Sequence, residues 1–167
     1  MILKPASLAL LAGIFSLAPA HASTKQDVRK ASHPSTTPEQ LKKFSLHHKW
    51  RVRRAVAMNR RTPPEALYNL AADNKIQVRL AVATNLTTDE KTFLRLSKDK
   101  KKAVRSVVAR FEYVASSALR VLADDKDPEI RLEVAKNLNT DKTTLKKLSK
   151  DEFEDVRKAA FASMARD

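Results

Sequence analysis

Apolar side chains recur along this chain at two nested spacings. Within short stretches they fall at i, i+3 and i+4, as in Leu67, Leu70 and Ala71, then Val78, Ala81 and Val82. That spacing marks one buried face of an amphipathic helix. Over longer distances the same positions return every 26 residues without a gap. Leu41, Leu67, Phe93, Leu119 and Leu145 make one column, Phe44, Leu70, Leu96, Leu122 and Leu148 a second, and Val52, Val78, Val104, Ile130 and Val156 a third. The period predicts a repeat domain over 36–167, with five units at 36–61, 62–87, 88–113, 114–139 and 140–165, each holding two short helices. Residues 23–35 are polar, contain Pro34 and read as a loose N-terminal arm, or as a decayed half-unit around Val28-Arg29-Lys30-Ala31.

The polar columns have their own chemistry. Thr36-Thr37-Pro38-Glu39 and Thr62-Pro63-Pro64-Glu65 open the first helix of a unit. Threonine there can accept from a free amide of the first turn, glutamate can reach back, and proline is tolerated in that turn. Asn59, Asn85 and Asn137 close the second helix in three units. Asparagine takes the left-handed cap conformation at low cost, so these are expected as C-caps or as a ladder satisfying backbone groups. Asp73, Asp99, Asp125 and Asp151 stand six residues before Arg79, Arg105, Arg131 and Arg157, while His47 holds the aspartate's place before Arg53. Six residues span the turn between the paired helices. The two columns are therefore expected to act as a structural ladder rather than as reactive groups, since repeats stack through identical nearest-neighbour contacts.

Val78-Arg79-Leu80-Ala81-Val82-Ala83-Thr84-Asn85, preceded by Leu70-Ala71-Ala72-Asp73 and followed by a threonine-rich turn, resembles the leucine-rich repeat variant, a short relative of HEAT and armadillo units. The aspartate and Val-Arg columns are similar to those of HEAT repeats, although 26 residues is well under the ~40–47 of that class. The resemblance covers 36–165 and implies an all-α, right-handed superhelical solenoid. It further implies one helix of each pair tightened toward 3₁₀ geometry and second helices lining the concave side. Some members of the variant family carry an iron-sulfur module on cysteines. This chain has no cysteine, so no cofactor is expected.

Composition narrows the chemistry. The only glycine is Gly13, so phosphate-cradling loops, dinucleotide fingerprints and the nucleophile elbow lack the residue their backbones need. His33, His47 and His48 lack zincin spacing, and no thiolate is present to help hold a metal. A non-enzymatic protein is expected. Near the N-terminus, Lys4, an apolar stretch from Leu8 to Leu17 and Ala20-His21-Ala22 match a secretory leader with a small-x-small processing site. The stretch is short of the ~20 residues of a spanning helix. A signal peptide over 1–22, cleavage before Ser23 and a periplasmic or secreted location are expected.

The formal charge of the chain is +14, and the excess concentrates in units one and three. In a solenoid, constant positions build the stack and varying positions on one face are available for recognition. The outward face of the second helices reads Arg51, Arg54, Met58 in unit one; Gln77, Leu80, Thr84 in unit two; and Ala103, Ser106, Arg110 in unit three. It continues as Glu129, Leu132, Lys136 and Asp155, Lys158, Ala162. Unit three adds Lys100, Lys101 and Lys102 in its turn, with Phe111 and Tyr113 where other units have an asparagine-centred turn. Basic clusters of this kind attract acidic surfaces or polyanions. The candidate partner-binding residues are therefore Arg51, Arg54, Met58, Lys100, Lys101, Lys102, Arg110, Phe111 and Tyr113, with Phe111, Tyr113 and Trp50 alternatively filling space in the core. An acidic protein surface is the expected partner, an anionic polymer (nucleic acid or envelope polyanion) the alternative, and a HEAT-like nucleic-acid hydrolase the remote one, since no acid-base constellation can be assembled.

Overall fold

The computed structural model describes residues 20–166. The expected leader, apart from its last three residues, lies outside the described residues. The secondary structure is a succession of helices: α1 (Ala20–Ser32), α2 (Pro38–Phe44), α3 (Trp50–Met58), α4 (Pro64–Leu70), α5 (Ile76–Ala83), α6 (Glu90–Leu96), α7 (Lys102–Arg110), α8 (Ser116–Leu122), α9 (Pro128–Lys136), α10 (Lys142–Leu148) and α11 (Glu154–Met164). Both helices of each pair are α-helices, so the 3₁₀ tightening implied by the resemblance is not adopted; the first helices are simply short, at seven residues. A seven-residue helix is too short to hold itself in water. Its stability comes from the columns: Leu41, Leu67, Leu119, Leu96, Leu148, Val52, Val78 and Ile130 are all fully buried or nearly so. Each such burial contributes about 1.5–3 kcal/mol.

The helices form a two-layer solenoid. Second helices pack on second helices along the stack (α1 on α3, α3 on α5, and so on to α9 on α11), more extensively than the first helices pack on one another. The N-terminal segment is part of this stack rather than a loose arm. Helix α1 packs on α3, and Ala31 is buried 26 residues before Ala57, which is buried in the same way.

Local chemistry fixes the turns. Thr37 accepts from the Gln40 amide while the Gln40 side chain accepts from the Thr37 amide, so the capping box closes on glutamine and not on Glu39. Asp89 and Asp141 cap α6 and α10. In unit two, Pro63 takes the N-cap position, and Thr62 instead donates its hydroxyl to the Val56 carbonyl at 2.6 Å. Thr88 and Thr140 do the same to Val82 and Val134, stitching each turn to the helix before it.

No described residue has positive φ, so the asparagines are not left-handed caps. Asn59 and Asn137 are extended. Each asparagine acts through its side chain. Asn85 donates Nδ2 to the carbonyls of Ala57 and Asn59 in the preceding unit, and its Oδ1 accepts from the Thr87 amide. Asn59 and Asn137 repeat the arrangement on Ala31 and His33, and on Ala109 and Phe111. Ser163 makes one such bond, to Ala135. Phe111 stands in this column in unit three, so the joint between α5 and α7 has no such bridge. Those two helices also touch less than any other consecutive pair of second helices.

Candidate functional site

The face that could recognise a partner is defined by which cations the fold consumes. Arg79 donates Nε and Nη2 to the two carboxylate oxygens of Asp99, at 2.5 and 3.1 Å, and both side chains are only 6% exposed. Arg53 with Asp73, Arg105 with Asp125, and Arg131 with Asp151 form the same forked pair. Each pair spans 20 residues and ties one unit to the next. The spacing of six seen in the sequence corresponds to a different bond: Nη1 of Arg79, Arg105 and Arg131 donates to the main-chain carbonyl of Asp73, Asp99 and Asp125. Arg157 keeps only that kind of bond, to Asp151 and Glu152.

The carboxylates respond to this setting. Burial pushes Asp73 up, but the Arg53 fork, the Lys75 amide and the positive charges nearby outweigh it and hold the acid below its ordinary range. Asp125 is lowered against the same opposing burial by Arg105 and the Asp127 amide. Asp151 is lowered chiefly by the Arg131 fork. At the N-terminal end the rung is inverted. Asp27 stands 20 residues before His47 and its carboxylate faces His47 Nε2 at 3.5 Å, while His47 Nδ1 accepts from the Lys49 amide as the aspartates' Oδ1 does elsewhere.

Arg51 and Arg54 lie outside the ladder. Both are exposed on α3, and neither side chain has an acidic partner among the described residues. The Arg51 guanidinium lies 5.0 Å from the centre of the half-buried Trp50 ring, which holds it in place by a cation–π contact. Beside Arg54 is a groove of about 320 Å³, lined by Met58, Gln77, Leu80, Thr84 and Val107 among others. Met58 is 57% exposed at its rim. The groove therefore draws on α3, α5 and α7 and crosses the stack.

Other expected residues are placed differently. Lys102 is not an available cation: its ammonium bridges Asp127 at 2.7 Å and Glu129 at 2.5 Å. Lys100 and Lys101 are exposed and without an acidic partner among the described residues, on the turn edge rather than on this face, and Arg110 is exposed at the end of α7. Phe111 is half-buried and packs on Phe93, ring centres 5.9 Å apart, so it fills the core instead of meeting a partner. Tyr113 rests edge-on against Phe111 and is 60% exposed. The sequence reading missed Val107 as groove floor; its signal is a valine where units one and two have Ala55 and Ala81. Among the described residues no group of three or more His, Asp or Glu is placed to hold a metal, and no helix is long and apolar enough to cross a membrane.

No protein-family model matches the chain, and no curated protein matches it. A solved structure does. It is described as a leucine-rich repeat variant with a novel repetitive protein structural motif, is 25% identical over 81% of this chain, and superposes with a TM-score of 0.62. The match spans 54% of that protein, so this chain corresponds to about half its length. The resemblance read from the columns is thus matched by a solved fold: the chain is a helical-repeat solenoid similar to the leucine-rich repeat variant.

Proposed function

We propose that the protein is an exported, non-enzymatic interaction module that holds an acidic protein partner on the outward face of its second helices, in the periplasm or secreted. The observation that carries this reading is the juxtaposition of Arg54, a cation that the fold leaves unpaired among the described residues, with an apolar groove edged by Met58 and Leu80, and with Arg51, equally unpaired, three residues earlier on the same helix. Four ladder arginines are spent on internal carboxylates, so their charge is structural. Arg51 and Arg54 serve no such purpose. A polyanion is held chiefly through charge and has no need of an aliphatic depression, whereas such a depression beside arginines fits a protein interface, where a few anchored side chains dominate. The leader pattern at Lys4, Leu8–Leu17 and Ala20-His21-Ala22 supports export. Cleavage before Ser23 leaves ten residues of α1 on the stack.

The test is capture from periplasmic extract on immobilised mature protein, with and without nuclease. The expected result is an acidic protein that survives nuclease treatment and is lost with Arg51→Glu/Arg54→Glu. Capture that ignores this substitution refutes the reading. A second reading, direct binding of an anionic polymer, rests on the exposed Lys98, Lys100 and Lys101 on the turn between α6 and α7. It predicts capture abolished by nuclease and an affinity falling log-linearly with salt. An intact mass beginning at Ser23 tests export; retention of residues 1–22 after export refutes the expected cleavage.

A further inference from the structure

The second-helix face carries a second depression, of about 280 Å³, at the opposite end of the stack. Glu129, Leu132, Phe153, Glu154 and Asp155 line it. It mirrors the first groove in form and opposes it in charge. Each has a leucine of the same column in its floor (Leu80, Leu132) and a large apolar side chain at its edge (Met58 at 57% exposure, Phe153 at 46%). Where the first groove is lined by Arg54, with Arg51 exposed three residues earlier on the same helix, the second is lined by Glu129, which pairs with Lys102, and by Glu154 and Asp155. Arg51, Glu129 and Asp155 occupy one repeat column. Asp155 has no cationic partner among the described residues, and the Glu154–Lys158 pair is an exposed i,i+4 contact that competes weakly with any new partner. Between the two grooves, unit three presents the small Ala103 and Ser106, with Arg110 exposed at the far end of α7.

We infer that the face is self-complementary, and that two copies of the chain associate antiparallel, the cationic groove of each receiving the acidic groove of the other. An antiparallel pairing sets unit one against unit five and unit two against unit four, with a two-fold axis near unit three. The same contact then forms twice. That is an isologous interface, and it closes at two copies instead of growing into a filament. Arg51 and Arg54 meet Glu154 and Asp155, and the exposed edge side chains Met58 and Phe153 fill the space between the Leu80 and Leu132 floors. The charges fix the antiparallel register, because a parallel pairing would set like charges against each other, and like-charge juxtaposition across an interface is strongly unfavourable. This rests on the reading of the face as a protein-binding one and names the acidic surface it meets as the Glu154–Asp155 groove of a second copy of this otherwise basic chain.

The test is sedimentation of the full mature chain over a concentration series at low and high salt, with thermal unfolding of every variant. The substituted positions are exposed, so the fold is expected to persist. The unaltered chain should form a dimer that weakens with salt. Arg51→Glu/Arg54→Glu and Glu154→Lys/Asp155→Lys should each weaken it by at least about tenfold. An equimolar mixture of the two variants should dimerise again, since each supplies the charge the other has lost at both contacts. A monomer at all concentrations overturns the inference, as does a dimer indifferent to these substitutions, a mixture that does not recover, or an assembly that grows past two. A monomer that still captures an acidic protein through Arg51 and Arg54 overturns the dimer and leaves the proposed function standing. A dimer whose arginine variants do not affect capture does the reverse.

Discussion

The Arg79–Asp99 rung offers a test of how this stack is held together, because the structure and the sequence spacing pair Asp99 with different arginines. Both side chains are 6% exposed, the fork is two-pronged, and Asp99 also accepts from the Lys101 amide at 2.8 Å. Asp99→Ala strands a guanidinium that has lost access to water, and orphaning one member of a buried pair costs about 3–5 kcal/mol. Arg79→Met, which keeps the stem, orphans the carboxylate at similar cost. Once one partner is gone, removing the other relieves that penalty, so the double variant should fall short of the sum by about 2–3 kcal/mol. Asp99→Ala with Arg105→Met is the control. Arg105 hydrogen-bonds only the main-chain carbonyl of Asp99, at 2.9 Å, which the substitution leaves in place, and otherwise feels Asp99 only as a nearby charge. That pair should couple by less than half as much. Urea unfolding followed by far-ultraviolet circular dichroism measures all six proteins: the unaltered chain, the three single variants including Arg105→Met, and the two doubles. Additivity for Arg79 with Asp99, or a coupling as large for Arg105 with Asp99, would refute a ladder that works between units.

Because Asp73, Asp125 and Asp151 are held below the ordinary carboxylate range, their contribution is complete above the unfolded value and is lost as pH falls through the folded values. The melting temperature should therefore be flat from pH 7 to about 5 and drop below about 4, and a melting temperature that rises on acidification would contradict this. Asn85→Ala removes a buried side chain that donates to two carbonyls and should cost about 2–3 kcal/mol in chemical denaturation, whereas Asn139→Ala, at an exposed position, should cost less than half as much. Phe111→Ala should destabilise by about 3 kcal/mol and Tyr113→Ala by under 1 kcal/mol, as read from thermal unfolding; equal losses would show that Phe111 is a surface group.

The solenoid was legible because its information is local and repeated. Leu67, Leu70, Val78 and Val82 each state their burial through spacing, and the period states it again in other units. The ladder's residues were legible for the same reason, but their partners were not. Sequence offers an offset of six within a unit, and only the stacking distance between units makes an offset of 20 the one that brings Arg79 to Asp99. Of the two readings of Asn85, the left-handed cap fails and the ladder satisfying backbone groups holds, but the carbonyls it reaches, 26 and 28 residues earlier, were not legible without the stack. At the candidate face, exposure of Arg51 and Arg54 followed from their position opposite the Val-Ala-Val stripe. The groove did not, since it needs Val107 from a third helix. Lys102 looked available only because its acceptors, Asp127 and Glu129, belong to the next unit.

The missing bridge at Phe111 gives the stack joints of unequal strength. In a linear array the energy that matters is the coupling between neighbours, and the array parts where that coupling is smallest. At the α5–α7 joint the asparagine bridge is absent and the helices touch least, so that joint relies on the Arg79–Asp99 rung and on the first-helix layer. The groove beside Arg54 crosses the same joint, with Met58 and Leu80 before it and Val107 after it. A ligand seated there would touch both sides and favour their stacked state over any parted one. By linkage, a chain already held rigid would bind it more tightly. If the groove is occupied as proposed, the joint that lacks an asparagine bridge would gain a second tie beside the Arg79–Asp99 rung, and recognition and stiffness would be set at the same place.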